Sequence, residues 1–329
     1  MPRTRGRRAR RPRRVAFVIE ALEPFRTELT GYCYRMLGSG FEAEDAVQET
    51  LVRAWKAYDT YDSSRATLRT WVYRIATNIC IDMQRSAQRR ALAVDLGPAG
   101  GDLGGPLHER VFVQPVPDSK VLPEDSLIRK ETVRLAFVAA LQHLPPRQRA
   151  VLILRDVLAW RAAEVAGLLS VSEASVNSAL QRARATLRDV DPGEPLNPAD
   201  PVQRALLSRY CEAFDRHDVR ALVALLHEDA TLSMPPFRWW LRGRGPISVA
   251  LLDPDSSCAG AWLVPVTANG SPAYWQLRPG LEQPFGLVLL DVRDGQVTGI
   301  TTFLNVAELL PIFGSPMSSG AAPRTSVDD

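Results

Sequence analysis

The sequence predicts a multidomain chain: two all-α domains, one a small helical bundle and the other a helix-turn-helix, followed by an α+β domain. Three observations carry this. Apolar residues recur at helical spacing up to about residue 190. Residues 91–130 hold five Gly and five Pro, including Gly97-Pro98, Gly100-Gly101 and Gly104-Gly105-Pro106, and divide those helices into two blocks. Beyond a second break at 191–201, with four prolines, the pattern changes to short β-rich runs bounded by turn residues.

Taken in order, residues 1–16 read as a disordered basic arm with eight arginines. A first helix spans about 17–37 and stops at Gly38. Ala46, Val47, Leu51, Ala54, Trp55 and Tyr58 form the apolar stripe of a second, and Leu68, Trp71, Val72, Ile75 and Ile79 that of a third, closing a domain over 17–90. Residues 91–130 are expected as a flexible linker. The second domain, 131–190, opens with the stripe Val133, Ala136, Phe137, Ala140, Leu141 and Leu144, which Pro145-Pro146 stops. After the 191–201 linker, helices over about 202–217 and 219–226 precede strands at 230–234, 262–267, 273–277, 285–292 and 297–304, expected to be antiparallel. Asp294-Gly295 is a hairpin signal between the last two. This third domain spans 202–314, and 315–329, rich in Ser, Gly and Pro, is expected as a disordered tail.

Composition excludes several classes. Cys33, Cys80, Cys211 and Cys258 are far apart with no CxxC pair, so neither a metal site nor a disulfide scaffold is expected, and no cofactor is implied. The apolar run 15–19 behind the arginines is cut by Glu20 and Glu23, which argues against a signal peptide, and no stretch reaches the length of a membrane span; a cytoplasmic protein is expected. The net charge of +3 hides an asymmetry: residues 1–14 carry +8, 15–90 carry 0, 91–130 carry −2, 131–190 carry +3 and 191–329 carry −6. Basic character in the first part alone suggests a nucleic-acid partner for that part.

Residues 163–180 follow helix-turn-helix logic, with a short helix, a turn at 170–172, and a longer helix turning Val176, Leu180, Ala183 and Leu187 inward. Its outward face offers Ser175, Asn177, Ser178, Gln181, Arg182 and Arg184, amides suited to adenine edges and arginines suited to phosphates. An amphipathic hairpin with a solvated face would show the same pattern. On the second helix of the chain Glu42, Asp45, Gln48, Glu49 and Lys56 face outward, an acidic ridge that a basic partner would select. On the third, Trp71 and Ile75 are expected in the core, whereas Tyr73, Arg74, Asn78, Asp82 and Arg85 project outward. Arg85, Arg89 and Arg90 suit duplex phosphates.

Residues 17–90 and 131–188 together resemble the extracytoplasmic-function (ECF) sigma factors of bacterial RNA polymerase. The sequence from Glu42 to Trp55 is similar to the helix by which such factors hold the polymerase clamp. The run from Leu68 to Asn78 resembles the helix that meets the melted −10 element, and the run from Leu144 to Arg155 resembles the segment before the −35-reading helix-turn-helix. The resemblance implies core-polymerase contacts at Glu42, Asp45, Gln48 and Glu49. It implies −10 contacts at Asn78 and along the preceding loop from Tyr61 to Arg65, which in the family captures a flipped base. In the commonest family pattern two arginines stand where this chain has Asn177 and Ala179, so a different −35 preference follows, with Asn177 and Gln181 favouring adenine and Arg182 and Arg184 positioning the backbone.

The third domain resembles the SnoaL-like group of the NTF2-like fold, on the sequences 213–218, 225–230 and 234–236. The sequences 303–305 and 310–314 resemble the ending of sigma factors of the SigG type; 111–118 resembles their linker but lacks its usual starting tryptophan. In such factors the appended domain contacts the sigma core and regulates it in cis. His227, Asp229, Trp239, Trp240, Tyr274 and Trp275 are candidates to line a cavity for an unknown small molecule, or else simply fill the domain. No acid/base pair stands at a defensible spacing, so the chain is not expected to be an enzyme. The expected function is that of an alternative sigma factor that binds core RNA polymerase, through its beta and beta-prime subunits, and promoter DNA. The rival readings are a helix-turn-helix regulator independent of polymerase, against which the 42–56 helix argues, and an NTF2-like enzyme with a helical appendage.

Overall fold

The computed structural model describes residues 20–85, 90–122, 130–190, 195–253 and 259–316. The basic arm, Arg89, Cys258 and the tail beyond 316 lie outside the described residues. The chain forms two compact units. One holds the described residues up to 85, 119–122 and 140–190; the other holds 90–118, 130–139 and 195 onward.

In the first unit residues 20–22 are helical, and a 3-10 turn with Pro24 in it, Glu23–Phe25, interrupts the first expected helix before α1, Arg26–Leu37. Gly38 closes α1 in the left-handed region (φ 72°), its N–H bonding Tyr34 O at 2.7 Å, a conformation that a side chain would disfavour. Ser39 caps α2, Gly40–Ala57, and Thr67 caps α3, Leu68–Gln84. Small residues on α2 (Ala43, Ala46, Thr50 and Ala54) are fully buried, which lets the three helices pack closely. Cys33 and Cys80 are buried free thiols; a hydrogen bond between them, with burial, raises the Cys80 thiol above its ordinary range.

A short helix, α4, spans Asp118–Val121, and α5 spans Leu135–Leu141. In α5 the buried side extends to Val138 and Ala139 while Ala136 and Phe137 remain half-buried, so the expected single stripe is broader than the spacing indicates. Pro146 starts α6, Pro146–Leu152, which continues as a π turn, Ile153–Val157. The helix-turn-helix follows: α7, Ala162–Leu169, a left-handed Ser170 (φ 55°), and α8, Glu173–Thr186, capped by Ser172.

The second unit opens, after the connector described below, with α9, Pro201–Asp215, and α10, Val219–Ala224. Its sheet contains β1 (Leu226–Ser233), β2 (Trp240–Arg242), β3 (Trp262–Ala268), β4 (Ser271–Leu277), β5 (Gly286–Arg293) and β6 (Gln296–Phe303), in the order β2-β1-β6-β5-β4-β3. Two further helices, α11 (Arg244–Leu252) and α12 (Val306–Phe313), complete it. The sheet is not wholly antiparallel: β1 pairs with β6 in parallel, because the strands between them return the chain in the same direction. Alternation along the strands serves two cores. Tyr274, Val288 and Ile300 pack with Phe214 and Leu222, while Trp275, Leu287 and Phe303 pack with Leu309.

Residues 91–118, expected as a flexible linker, belong to the second unit, where Ala91, Ala93 and 111–117 are buried while 98–106 are exposed. Ala91 bridges Phe112 in parallel by donating its N–H to Val111 O at 2.8 Å and accepting from Val113 N–H at 3.1 Å, and Arg90, expected at a helix end facing DNA, is buried and donates to Phe112 O at 3.1 Å. Ala93, Val111 and Phe112 are buried beside Trp240. Proline and glycine here prevent regular structure without preventing burial, because side-chain and loop donors take up the backbone acceptors.

The tightest anchor is Asn269. It and Gly270 form the β3–β4 turn with φ of 54° and 60°, a hairpin signal as strong as Asp294-Gly295. The Asn269 side chain is fully buried; its Oδ1 accepts from Val116 N–H at 2.9 Å and its Nδ2 donates to Val133 O at 2.7 Å, while Gly270 N–H donates to Asp118 at 2.8 Å. Burial raises the Asp118 carboxyl above its usual range, and that N–H opposes the shift. Asn269→Ala orphans two buried backbone groups and should lower the unfolding free energy of this unit by about 2–4 kcal/mol, measured by denaturant unfolding. Gly270→Ala should also destabilise it, since a Cβ there would stand 3.0 Å from Lys130 O.

Candidate polymerase and nucleic-acid interfaces

On α2 the buried alanines turn Asp45, Gln48 and Glu49 to solvent, with Glu42 half-buried. Val52 and Trp55 continue the same face, 41% and 43% exposed. Trp55 therefore does not join the buried stripe: the bundle is filled by small side chains at that level, with Ala54 taking the inward position. The spacing 45, 48, 49, 52, 55–56 places carboxylates, an aliphatic group and an indole on one ridge, and that continuation was readable as a second, outward i, i+3, i+4, i+7 pattern. Glu49 pairs with Arg53 at 2.6 Å, and Glu44, at the edge of the ridge, pairs with Lys120 at 2.6 Å. These exposed pairs contribute little to stability.

Along α3 the expected −10 residues separate. Asn78, Asp82 and Arg85 are exposed, the last two paired at 3.1 Å, and Arg65 is exposed beside Asp62 at 3.4 Å. Tyr73 is fully buried, contrary to its expected outward position. Its ring lies 5.1 Å from that of Tyr32 and 5.0 Å from that of Trp160, which comes from the loop before α7. Arg69, paired with Glu28, lays its guanidinium 4.7 Å from the Trp160 ring centroid. Arg74 is half-buried and donates to Gly167 O at 2.9 Å. The physical reason is that α3 has two apolar neighbours, the bundle and the segment before the helix-turn-helix, and single-helix periodicity registers only one.

Trp71, expected in the core, is half-buried and groups with Tyr58 and Tyr61, ring centroids 6.4 and 5.2 Å away. Tyr61 donates to Ala66 O at 3.1 Å, which folds the 59–66 loop back onto α3. The result is an aromatic platform at the loop, next to exposed Arg65, of the kind on which a base can stack.

On α8, Val176, Leu180 and Ala183 are buried and Ser175, Asn177, Ser178, Gln181, Arg182 and Arg184 are all exposed, as the spacing predicts. Two carry local partners: Arg182 donates to Ser178 Oγ at 2.7 Å, and Arg184 makes a two-bond pair with Asp156 at 2.7 and 2.8 Å that raises the guanidinium's pKa. Arg184 is thus held by the π turn before α7, and sequence spacing alone could not show this.

Of the residues proposed to line a cavity in the third domain, only Trp239 does so. His227 accepts from Asp229 N–H at 3.2 Å, and Asp229 pairs with Arg242 at 3.2 Å on the exposed part of β1. Trp240 packs on Phe112, Trp275 faces the opposite core with Phe313, and Tyr274 is buried beside Cys211. For Trp275 the strand alternation decides this: it occupies the face opposite that of Tyr274 and Gln276, and Gln276 lines the cavity.

A three-helix bundle with an acidic, indole-bearing ridge and a helix-turn-helix packed in the same unit define a transcription-initiation class. The Sigma-70 region 2 model matches residues 22–90 and the Sigma-70 region 4 model matches 134–187. The chain is 45% identical over 309 residues to the ECF RNA polymerase sigma factor SigG of Mycobacterium tuberculosis, covering 90% of this chain and 83% of the relative. It is 31% identical to SigW of Bacillus subtilis over 51% of this chain and 86% of that protein. The crystal structure of M. tuberculosis SigJ superimposes with a TM-score of 0.59 at 22% identity, covering 91% of this chain and 99% of that one, and shares the fold. The chain belongs to the ECF RNA polymerase sigma factors.

Proposed function

We propose that the chain is an alternative sigma factor that binds core RNA polymerase through the α2 ridge and directs initiation by reading duplex −35 DNA with α8 and melted −10 DNA with the 59–66 loop, Asn78 and Arg85. The observation that carries this reading is α8: every polar residue expected to face DNA is exposed, over a buried apolar face. Asn177 and Gln181 supply adenine-type recognition, and Arg182 and Arg184 hold phosphates. The third domain, with helices and a six-stranded sheet that fit the NTF2-like resemblance, regulates the sigma core in cis and holds a small molecule; no turnover is assigned to it.

Reconstitution with core polymerase tests this reading. Promoter-specific transcripts are expected from the full chain, and none from any genomic fragment would overturn it. A chain ending at residue 190 should give a different yield at equal core occupancy; an unchanged yield would remove the cis-regulatory role. Asn177→Ala should weaken duplex −35 binding about 5- to 150-fold by titration of the labelled duplex, the range of one lost two-bond base contact, without changing the melting profile.

A further inference from the structure

Between α9, α11 and the sheet lies a cavity of about 390 Å³. Its walls are apolar, with Phe214, Leu232, Val288 and Ile300 among them, and the buried polar side chains reaching it are Gln276 and Thr302. Its mouth carries Trp239 and Leu103. Leu103 belongs to the connector that joins the two sigma regions in sequence, and that connector crosses the mouth as a strap. Trp239 Nε1 donates to Gly101 O at 3.1 Å, Trp240 Nε1 to Gly97 O at 2.9 Å, Gly100 N–H to Trp240 O at 2.8 Å, and Leu107 N–H to Pro236 O at 2.8 Å. Gly101 takes φ 81°, which turns its carbonyl to the indole where a side-chain-bearing residue would be strained.

We infer that the cavity binds an uncharged, mainly apolar small molecule with one hydrogen-bonding group, and that the 97–107 strap bearing Leu103 is its lid, so that occupancy and the position of the connector are linked. The inference deepens the reading of the third domain as a ligand-holding regulator and rests on it for its biological meaning only. Volume and lining select the ligand class. The space suits a molecule of roughly fifteen to twenty non-hydrogen atoms, the apolar walls stabilise it by burial, and Gln276 and Thr302 orient one polar group. The one carboxylate among the lining residues, Asp253, is exposed, and the buried lining side chains offer no counter-ion for a charge held inside. The strap is held by a few hydrogen bonds and Leu103 is 42% exposed, so its opening costs little compared with unfolding the sheet.

The test uses the full chain and the neutral fluorophore N-phenyl-1-naphthylamine, apolar with one N–H. Saturable one-to-one binding at micromolar concentration is expected. Ala250→Phe, which fills the cavity from α11 at a half-buried position, should weaken it at least tenfold. Leu103→Gly should raise the dissociation rate at least fivefold, and probe binding should change hydrogen exchange at the Gly100 and Leu107 amides. Absence of saturable binding, or binding unchanged in Ala250→Phe, would overturn the site; binding with the strap amides and the Leu103→Gly dissociation rate unaffected would overturn the lid. Because the readout is binding and exchange, these failures are distinguishable from failure of promoter-directed transcription, which is measured separately.

Discussion

Arg149→Ala should destabilise the first unit by about 3–5 kcal/mol, read as a lower denaturant midpoint and faster proteolysis between the two sigma regions. Arg149 is 5% exposed, and its guanidinium bonds Met36 O at the end of α1, Gln142 Oε1 at 2.6 Å, Gln142 O at 3.2 Å and Leu144 O at 3.1 Å. Gln142 in turn donates to Arg35 O at 3.4 Å. One side chain thus satisfies carbonyls from α1 and from the turn before α6, and truncation leaves them buried without it. Arg149→Lys keeps the charge but cannot reach as many carbonyls with a fixed fork, so it should recover less than half of the loss. A midpoint unchanged in Arg149→Ala would show that these carbonyls find other donors.

Asp45→Arg with Glu49→Arg should lower affinity for core polymerase at least about 100-fold, with Trp55→Ala alone costing about 30-fold, the hot-spot range for a central tryptophan. Both changes fall on exposed parts of α2, so the melting temperature should move little. Core binding by fluorescence anisotropy checks this at two salt concentrations: the charge reversals should lose part of their effect in high salt, and Trp55→Ala should keep most of its own. Wild-type affinity in all variants would place the polymerase contact elsewhere on the chain.

The legible parts of the molecule were those governed by local periodicity. The alternation of buried Val176, Leu180 and Ala183 with exposed Asn177, Gln181 and Arg182 follows from 3.6 residues per turn and needs no knowledge of neighbours. The strands at 262–268, 271–277 and 286–303 were marked by β-branched and aromatic runs and the Asp294-Gly295 turn in the same way. By contrast α11, over Arg244–Leu252, has no strong local signal: Gly245 and Pro246 stand in its first turn, and Val249 and Leu252 are exposed while Ile247 and Leu251 are buried.

By itself, then, the sequence determined the two helical sigma modules, the exposed polar face of α8, the acidic part of the α2 ridge and the α+β class of the third domain, because each depends on side-chain period or on a short motif. Only the tertiary structure decided that Tyr73 is buried against Trp160, that Trp239 alone of the nominated residues reaches the cavity, and that the Gly- and Pro-rich connector is tied to the third domain by hydrogen bonds. The physical reason is common to all three. Each depends on which surface a distant segment covers, and a hydrogen bond such as that from Trp239 to Gly101, 138 residues apart in sequence, leaves no periodic trace in either partner.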